Sequence, residues 1–284
     1  MNSVQQPPFP RINASVVVVM LFLMCAFFAR SWFQLYLQDA GYDASLTYDL
    51  SFFLMLPVAA VLMYPILRDN VAAMRQWLRP PESWCSLVTY SVLVGLLLRV
   101  IYWTFYTAGA AFGWFYNPSS PAIQSVQFTF SCPDPDLLAL KMLVLATLTP
   151  AFEELVHRGF ILHALLPRGD YRAIVVSAVL FGVMHKPDSI VMAFLIGLPL
   201  AFLAVKLRSL WAPMIIHATF NLVAILDWNC LNPNWNPSET SLFLNMIGSV
   251  SIAVMSIGLA LVSLLLRYAK AGTRIASRPY PMHN

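Results

Sequence analysis

Apolar stretches long enough to cross a bilayer recur along this chain and are separated by short polar segments. They lie near 15–37, 46–67, 86–106, 137–166, 172–186, 189–206, 211–228 and 241–267. Only 11% of the 284 residues are charged, against about 25% in a soluble domain. Because so few charges cannot cover a water-exposed surface, the bilayer must be the main solvent. The pattern predicts an all-α polytopic membrane protein with about eight transmembrane helices.

The basic residues indicate how these helices are oriented. Lys and Arg gather in the loops on one side of the predicted bundle, whereas Lys186 alone falls on the other side. Since cytoplasmic loops carry the excess of positive charge, we expect both termini in the cytoplasm. The net charge of +4 therefore does not indicate a nucleic-acid partner, and the expected partner is the lipid bilayer. We treat 1–284 as one membrane domain with a loose basic tail at 268–284.

Polar residues inside the predicted fourth span are the first candidates for chemistry, because charges within hydrocarbon are costly. Glu154 and Arg158 are four residues apart and can pair on one helix face. Glu153 lies about 100° around the helix, which leaves it free for another role. The fourth span therefore offers a structural ion pair beside an uncommitted carboxylate.

Further polar residues occur in the fifth and seventh spans, at His185, His217 and Asn221. Counted along the helices from the cytoplasmic turns, Glu153 and His185 both lie about 21 Å deep, and Asn221 about 18 Å. We therefore expect spans four, five and seven to enclose one polar site.

These residue types suit hydrolysis of a peptide bond by water. Removal from water makes a carboxylate a better proton acceptor, so Glu153 is a candidate general base and His185 can hold the same water. His217 and the amide of Asn221 could donate hydrogen bonds to the oxyanion of the tetrahedral intermediate. No serine or cysteine in this cluster has the context of a nucleophile, which favours direct attack by water.

Three motifs on three spans resemble those of the CPBP intramembrane proteases, a family that includes the type II CAAX prenyl proteases and the bacterial Abi proteins. They are Glu153-Glu154-x-x-x-Arg158, Phe181-x-x-x-His185 and His217-x-x-x-Asn221. The resemblance covers roughly 137–228, the motif-bearing core of the chain.

The resemblance implies a glutamic-type endopeptidase without a cofactor. Glu153 and His185 would activate water, His217 and Asn221 would form the oxyanion hole, and Glu154 and Arg158 would support the site. The substrate would be a membrane protein or peptide that is lipidated or carries a C-terminal signal. We expect a bacterial inner membrane as the location.

Two other functions stay open. His157 stands where relatives usually carry an aromatic or other apolar residue, so Glu153, His157, His185 and His217 could instead hold a metal ion in a metal-dependent protease. The chain could also be a catalytically silent membrane scaffold or immunity protein. The four cysteines show no zinc-binding pattern, and a disulfide between Cys132 and Cys230, both expected on the outer face, also stays open.

Overall fold

The computed structural model describes residues 12, 14–111, 135–185, 189–225, 257–258 and 262–264. The regular structure within these ranges is entirely helical, which confirms the predicted all-α class. In chain order the helices are α1 (Val16–Asp39), α2 (Ala44–Asp69), α3 (Val71–Trp77), α4 (Trp84–Ala111), α5 (135–165), α6 (Asp170–Val183), α7 (Ile190–Leu207) and α8 (Trp211–Ile225).

Four of the described helices are long and apolar enough to cross a bilayer, in α1, α2, α4 and α7. The predicted spans four, five and seven correspond to α5, α6 and α8. The chain is therefore an integral membrane protein, and the number of its spans stays a prediction. The tail, Cys132, Cys230 and most of the predicted span 241–267 lie outside the described residues.

The motif-bearing helix α5 is not uniform, although the sequence predicts an ordinary helix over 137–166. Two wider π-helical segments interrupt it, at Val144–Leu148 and Leu155–Ile161. α-Helical pieces flank them at Pro135–Leu143, Thr149–Glu154 and Leu162–Leu165. Wide turns of this kind are rare and are frequent at functional sites. Glu153 and Glu154 lie in the short α-helical piece between the two π-helical segments.

The middle of the bundle is built around the second π-helical segment. Val156, Phe160 and Ile161 are fully buried there against apolar side chains of α1, α2, α3, α6 and α7. A short turn at Leu166–Arg168 then reverses the chain into α6, and Gly169 completes the turn with a φ of 109°, which favours glycine.

The segment 71–82, whose Arg75, Trp77 and Arg79 beside apolar residues predict a position along the membrane interface, packs against the bundle through its tryptophan. Trp77 is only 1% exposed, with its ring centre 5.7 Å from that of Phe160 and 4.4 Å from that of His163. The end of α3 also anchors the start of α8, because Leu210 N–H donates to the Trp77 carbonyl and Trp211 Nε1 donates to the Leu78 carbonyl. α3 is therefore part of the core that positions α8.

Candidate active site

The predicted ion pair of the fourth span is present and completely buried. Arg158 Nη1 donates to Glu154 Oε1 over 3.0 Å, and both side chains have no exposed surface. Arg158 Nη2 reaches across to the carbonyl of Gly197 on α7, at 3.3 Å. The arginine therefore neutralises Glu154 and ties α5 to α7.

His217 brings α8 against both glutamates. Its Nδ1 lies 2.8 Å from Glu154 Oε1, and its Nε2 lies 3.8 Å from Glu153 Oε2. Because Glu154 Oε1 already accepts from the Arg158 guanidinium, we read His217 Nδ1 as the donor in this contact. Glu154 thereby orients the His217 ring and directs Nε2 toward Glu153.

His185 follows the end of α6 and is held by its own turn. Its backbone N–H donates to the Gly182 carbonyl, and its Nδ1 donates to the Phe181 carbonyl over 2.8 Å. With Nδ1 used in this way, Nε2 of the neutral ring is a hydrogen-bond acceptor. His185 is therefore oriented as a group that can take a hydrogen bond from a water molecule.

Glu153 and His185 line one small cavity, which has room for about one water molecule. Its other walls are largely apolar and include Leu23 and Phe27 from α1 and Met55 from α2. The Glu153 side chain is 17% exposed, whereas neighbouring Glu154 is fully buried. The carboxylate without a guanidinium partner is thus the one that faces the cavity.

Asn221 lies one turn beyond His217 on α8 and completes the contact with α5. Its Nδ2 donates to the carbonyl of Leu145 over 2.9 Å. In this π-helical segment the N–H of Thr149 bonds the carbonyl of Val144, five residues earlier. The next donor in the series would be Pro150, which has no N–H, so the Leu145 carbonyl needs a donor from elsewhere. One N–H of the amide fills this need, which leaves the second for another acceptor.

Phe181 is the residue of the site whose role the sequence did not predict. Its ring is almost fully buried, and its centre lies 4.7 Å from the ring of His185 and 5.7 Å from that of His217. The guanidinium carbon of Arg158 lies 4.2 Å from the same centre. Phe181 therefore packs between the two histidines and the ion pair and fixes their spacing. The only signal in the sequence was its place four residues before His185.

His157, the departure from the family pattern, also lines the cavity and is buried. Its ring packs edge-on against Phe181, with the centres 5.2 Å apart. Within the part of the chain that the structure describes, no three His, Cys, Asp or Glu side chains are grouped so that they could hold a metal ion. His157 is a cavity wall in this arrangement.

The described geometry thus brings Glu153, Phe181, His185 and His217 together, although His217 does not line the cavity, whereas Asn221 contacts the Leu145 carbonyl instead. Residues 135–223 match a family model described as "Type II CAAX prenyl endopeptidase Rce1-like". The motif-bearing core is therefore similar to that of the CPBP family. The CPBP match agrees closely with the range of roughly 137–228 over which the sequence resembled this family. Comparison with curated proteins gave no match, and neither did comparison with solved structures.

The matched family model also indicates a general activity. The description of the matched model names an endopeptidase, which together with the apolar helices supports a CAAX-type intramembrane endopeptidase in general. The roles of the individual residues and the substrate go beyond the match.

Proposed function

We propose that this chain is a glutamic-type intramembrane endopeptidase in which Glu153 and His185 activate a water molecule. The observation that carries the proposal is their shared cavity, which has room for about one water. Glu153 accepts a proton from the water while Nε2 of His185 accepts its second hydrogen bond. The water oxygen then attacks the scissile carbonyl carbon, and Glu153 returns the proton to the leaving amine.

In the same proposal, His217 and Asn221 stabilise the oxyanion that this attack creates. To donate from Nε2 as well as from Nδ1, His217 acts in its imidazolium form, whose charge the buried Glu154 compensates. Asn221 donates the N–H that it does not use on Leu145. Donors of this kind contribute a large part of catalysis when they are fixed before the reaction. The anchors on Glu154 and Leu145 hold both residues in this way.

The substrate class follows from the matched family, whose description names prenyl endopeptidases. We propose a membrane-associated protein or peptide with a lipidated or signal-bearing C terminus. The positive-inside pattern supports cytoplasmic termini and a site beyond the middle of the bilayer, toward the outer leaflet. The single domain over 1–284 and the bacterial inner membrane remain part of this proposal.

Membrane proteomes test the function and name the substrate in one experiment. Cells that carry Glu153→Gln accumulate an uncleaved precursor that cells with the unchanged protein process. Glu82→Gln is the matched control, since Glu82 is exposed in the segment between α3 and α4 and its variant processes normally. Full biological effect of the Glu153→Gln variant, without any accumulating precursor, would identify a silent scaffold or immunity protein.

A metal-dependent protease is separated from this mechanism by chelation. Metal analysis of the purified protein is compared with cleavage before and after treatment with a strong chelator. The water-activating carboxylate predicts undiminished cleavage without bound metal. If the protein contains stoichiometric metal and loses cleavage on chelation, Glu153 is a metal ligand and not the general base.

A further inference from the structure

An arginine in the apolar helix α1 lies next to the proposed site without belonging to any of the three motifs. Leu23 and Phe27 of α1 line the cavity. Arg30 follows them at helical spacing, so all three lie on one face of α1. Arg30 is three residues past Phe27, which corresponds to about 4.5 Å along the helix. A charge at this depth is costly and is a sign of function.

The contacts of Arg30 are with neutral groups of α2. Its Nε donates to Ser51 Oγ over 3.2 Å, and its guanidinium carbon lies 3.6 Å from the ring centre of Phe52 and 4.6 Å from that of Tyr48. Among the residues that the structure describes, none places a carboxylate oxygen within 4.0 Å of its nitrogens. The side chain of Tyr48 also hydrogen-bonds the guanidinium, and Asp49 and Glu153 act on it at longer range.

Other cations within the same bundle show how a purely structural charge is accommodated. Lys141 lies 2.9 Å from Asp49, whose side chain is fully buried, and Arg158 pairs with Glu154 in the same way. Arg30 differs from these two, because no carboxylate of the described residues lies within ion-pair distance of it. Two hydroxyls and an aromatic face hold its guanidinium, which has five N–H groups and so has further donors for an anion. A guanidinium offers five donors in a planar fork that matches a carboxylate.

We propose that Arg30 binds the free C-terminal carboxylate of the peptide that is cleaved at Glu153, an inference that rests on the proposed function. An extended peptide advances about 3.3–3.6 Å per residue. A carboxylate one or two residues past the scissile bond therefore reaches the level of Arg30, about 4.5 Å along α1 from Phe27. The site thereby selects bonds close to a free C terminus.

Two peptides that differ only at their C terminus test this assignment. Both carry the same lipidated cysteine and sequence; one ends in a free acid and the other in an amide. The purified full-length protein in vesicles is expected to cleave the acid at least about tenfold more efficiently, as kcat/KM, than the amide, since a charge-assisted hydrogen bond is lost with the amide. In Arg30→Gln this ratio falls to about one, and Arg30→Lys retains part of it.

The acid-to-amide ratio separates substrate binding from other roles of Arg30. A structural role, or a long-range effect of its charge on Glu153, slows both peptides by the same factor and leaves the ratio unchanged. If Arg30→Gln does not fold, the acid-to-amide ratios of the unchanged protein and of Arg30→Lys still test whether Arg30 binds the carboxylate.

Equal cleavage of acid and amide by the unchanged protein would overturn the assignment and point to another partner for Arg30, such as a lipid phosphate. If Glu153→Gln is inactive in that case, the proposed function survives and only the role of Arg30 falls. Cleavage of neither peptide by the unchanged protein would contradict the proposed function and the carboxylate site together.

Discussion

Removal of Arg158 is the perturbation with the clearest energetic consequence. In Arg158→Ala the fully buried carboxylate of Glu154 loses its guanidinium, and the Gly197 carbonyl loses a donor. Breaking a buried ion pair from one side costs about 3–5 kcal/mol. His217 still donates to Glu154, which offsets part of the loss. We therefore expect a loss near the lower end, about 3 kcal/mol.

Thermal and denaturant unfolding of the purified protein in a mild detergent measure this loss. The matched control is Arg68→Ala, which removes the exposed pair of Arg68 with Asp69 and costs at most about 1 kcal/mol. The double variant Glu154→Gln/Arg158→Gln is expected to lose less than the sum of its two single variants, because the residues interact directly. Equal stability of Arg158→Ala and Arg68→Ala would refute the buried ion pair.

Two further variants test neighbouring parts of the site. Asn221→Ala is expected to lower kcat by about 10²–10³, the usual cost of one oxyanion donor, and also to destabilise the protein by about 1–3 kcal/mol through the Leu145 carbonyl. Thr219→Val on the same helix is the control, and an unchanged kcat in Asn221→Ala would limit Asn221 to its structural bond. His157→Phe, which introduces the type of residue that relatives carry, is expected to reduce cleavage far less than Glu153→Gln does. Complete loss of cleavage together with loss of a bound metal would make His157 a ligand.

Local spacing explains what the sequence could predict. The pairing of Glu154 with Arg158 follows from the four-residue repeat of a helix and is confirmed at 3.0 Å. The same spacing left Glu153 apart from Arg158, and that side chain faces the cavity. The depth estimate placed Glu153 and His185 at one level, and the two residues line one cavity.

Contacts between helices explain what the sequence could not predict. The depth of each residue in the membrane, counted along its helix, does not say which carboxylate His217 approaches. That depends on how α5 and α8 cross. The π-helical segments arise from packing and from the missing N–H of Pro150, and they give Asn221 the Leu145 carbonyl as a partner. Tryptophan is common at membrane interfaces, yet the docking of α3 buries Trp77 in the core.

The different surroundings of Arg30 and Lys141 could not be predicted from the sequence pattern either. Arg30 and Lys141 look alike in the sequence, as single cations within apolar helices. The structure distinguishes them, because Lys141 meets the buried carboxylate of Asp49 whereas Arg30 meets aromatic rings. Only the position of α2 decides which cation is neutralised.

Cleavage by the purified protein in vesicles tests the role of Glu153 most directly. The precursor found in the membrane proteome, or the lipidated peptide acid, is incubated with the unchanged protein, with Glu153→Gln and with the exposed control Glu82→Gln. If Glu153 takes the proton from water, the Glu153→Gln protein folds and inserts normally but yields no product, while the control cuts like the unchanged protein. Product formation by Glu153→Gln at the unchanged rate would show that this carboxylate is not the base.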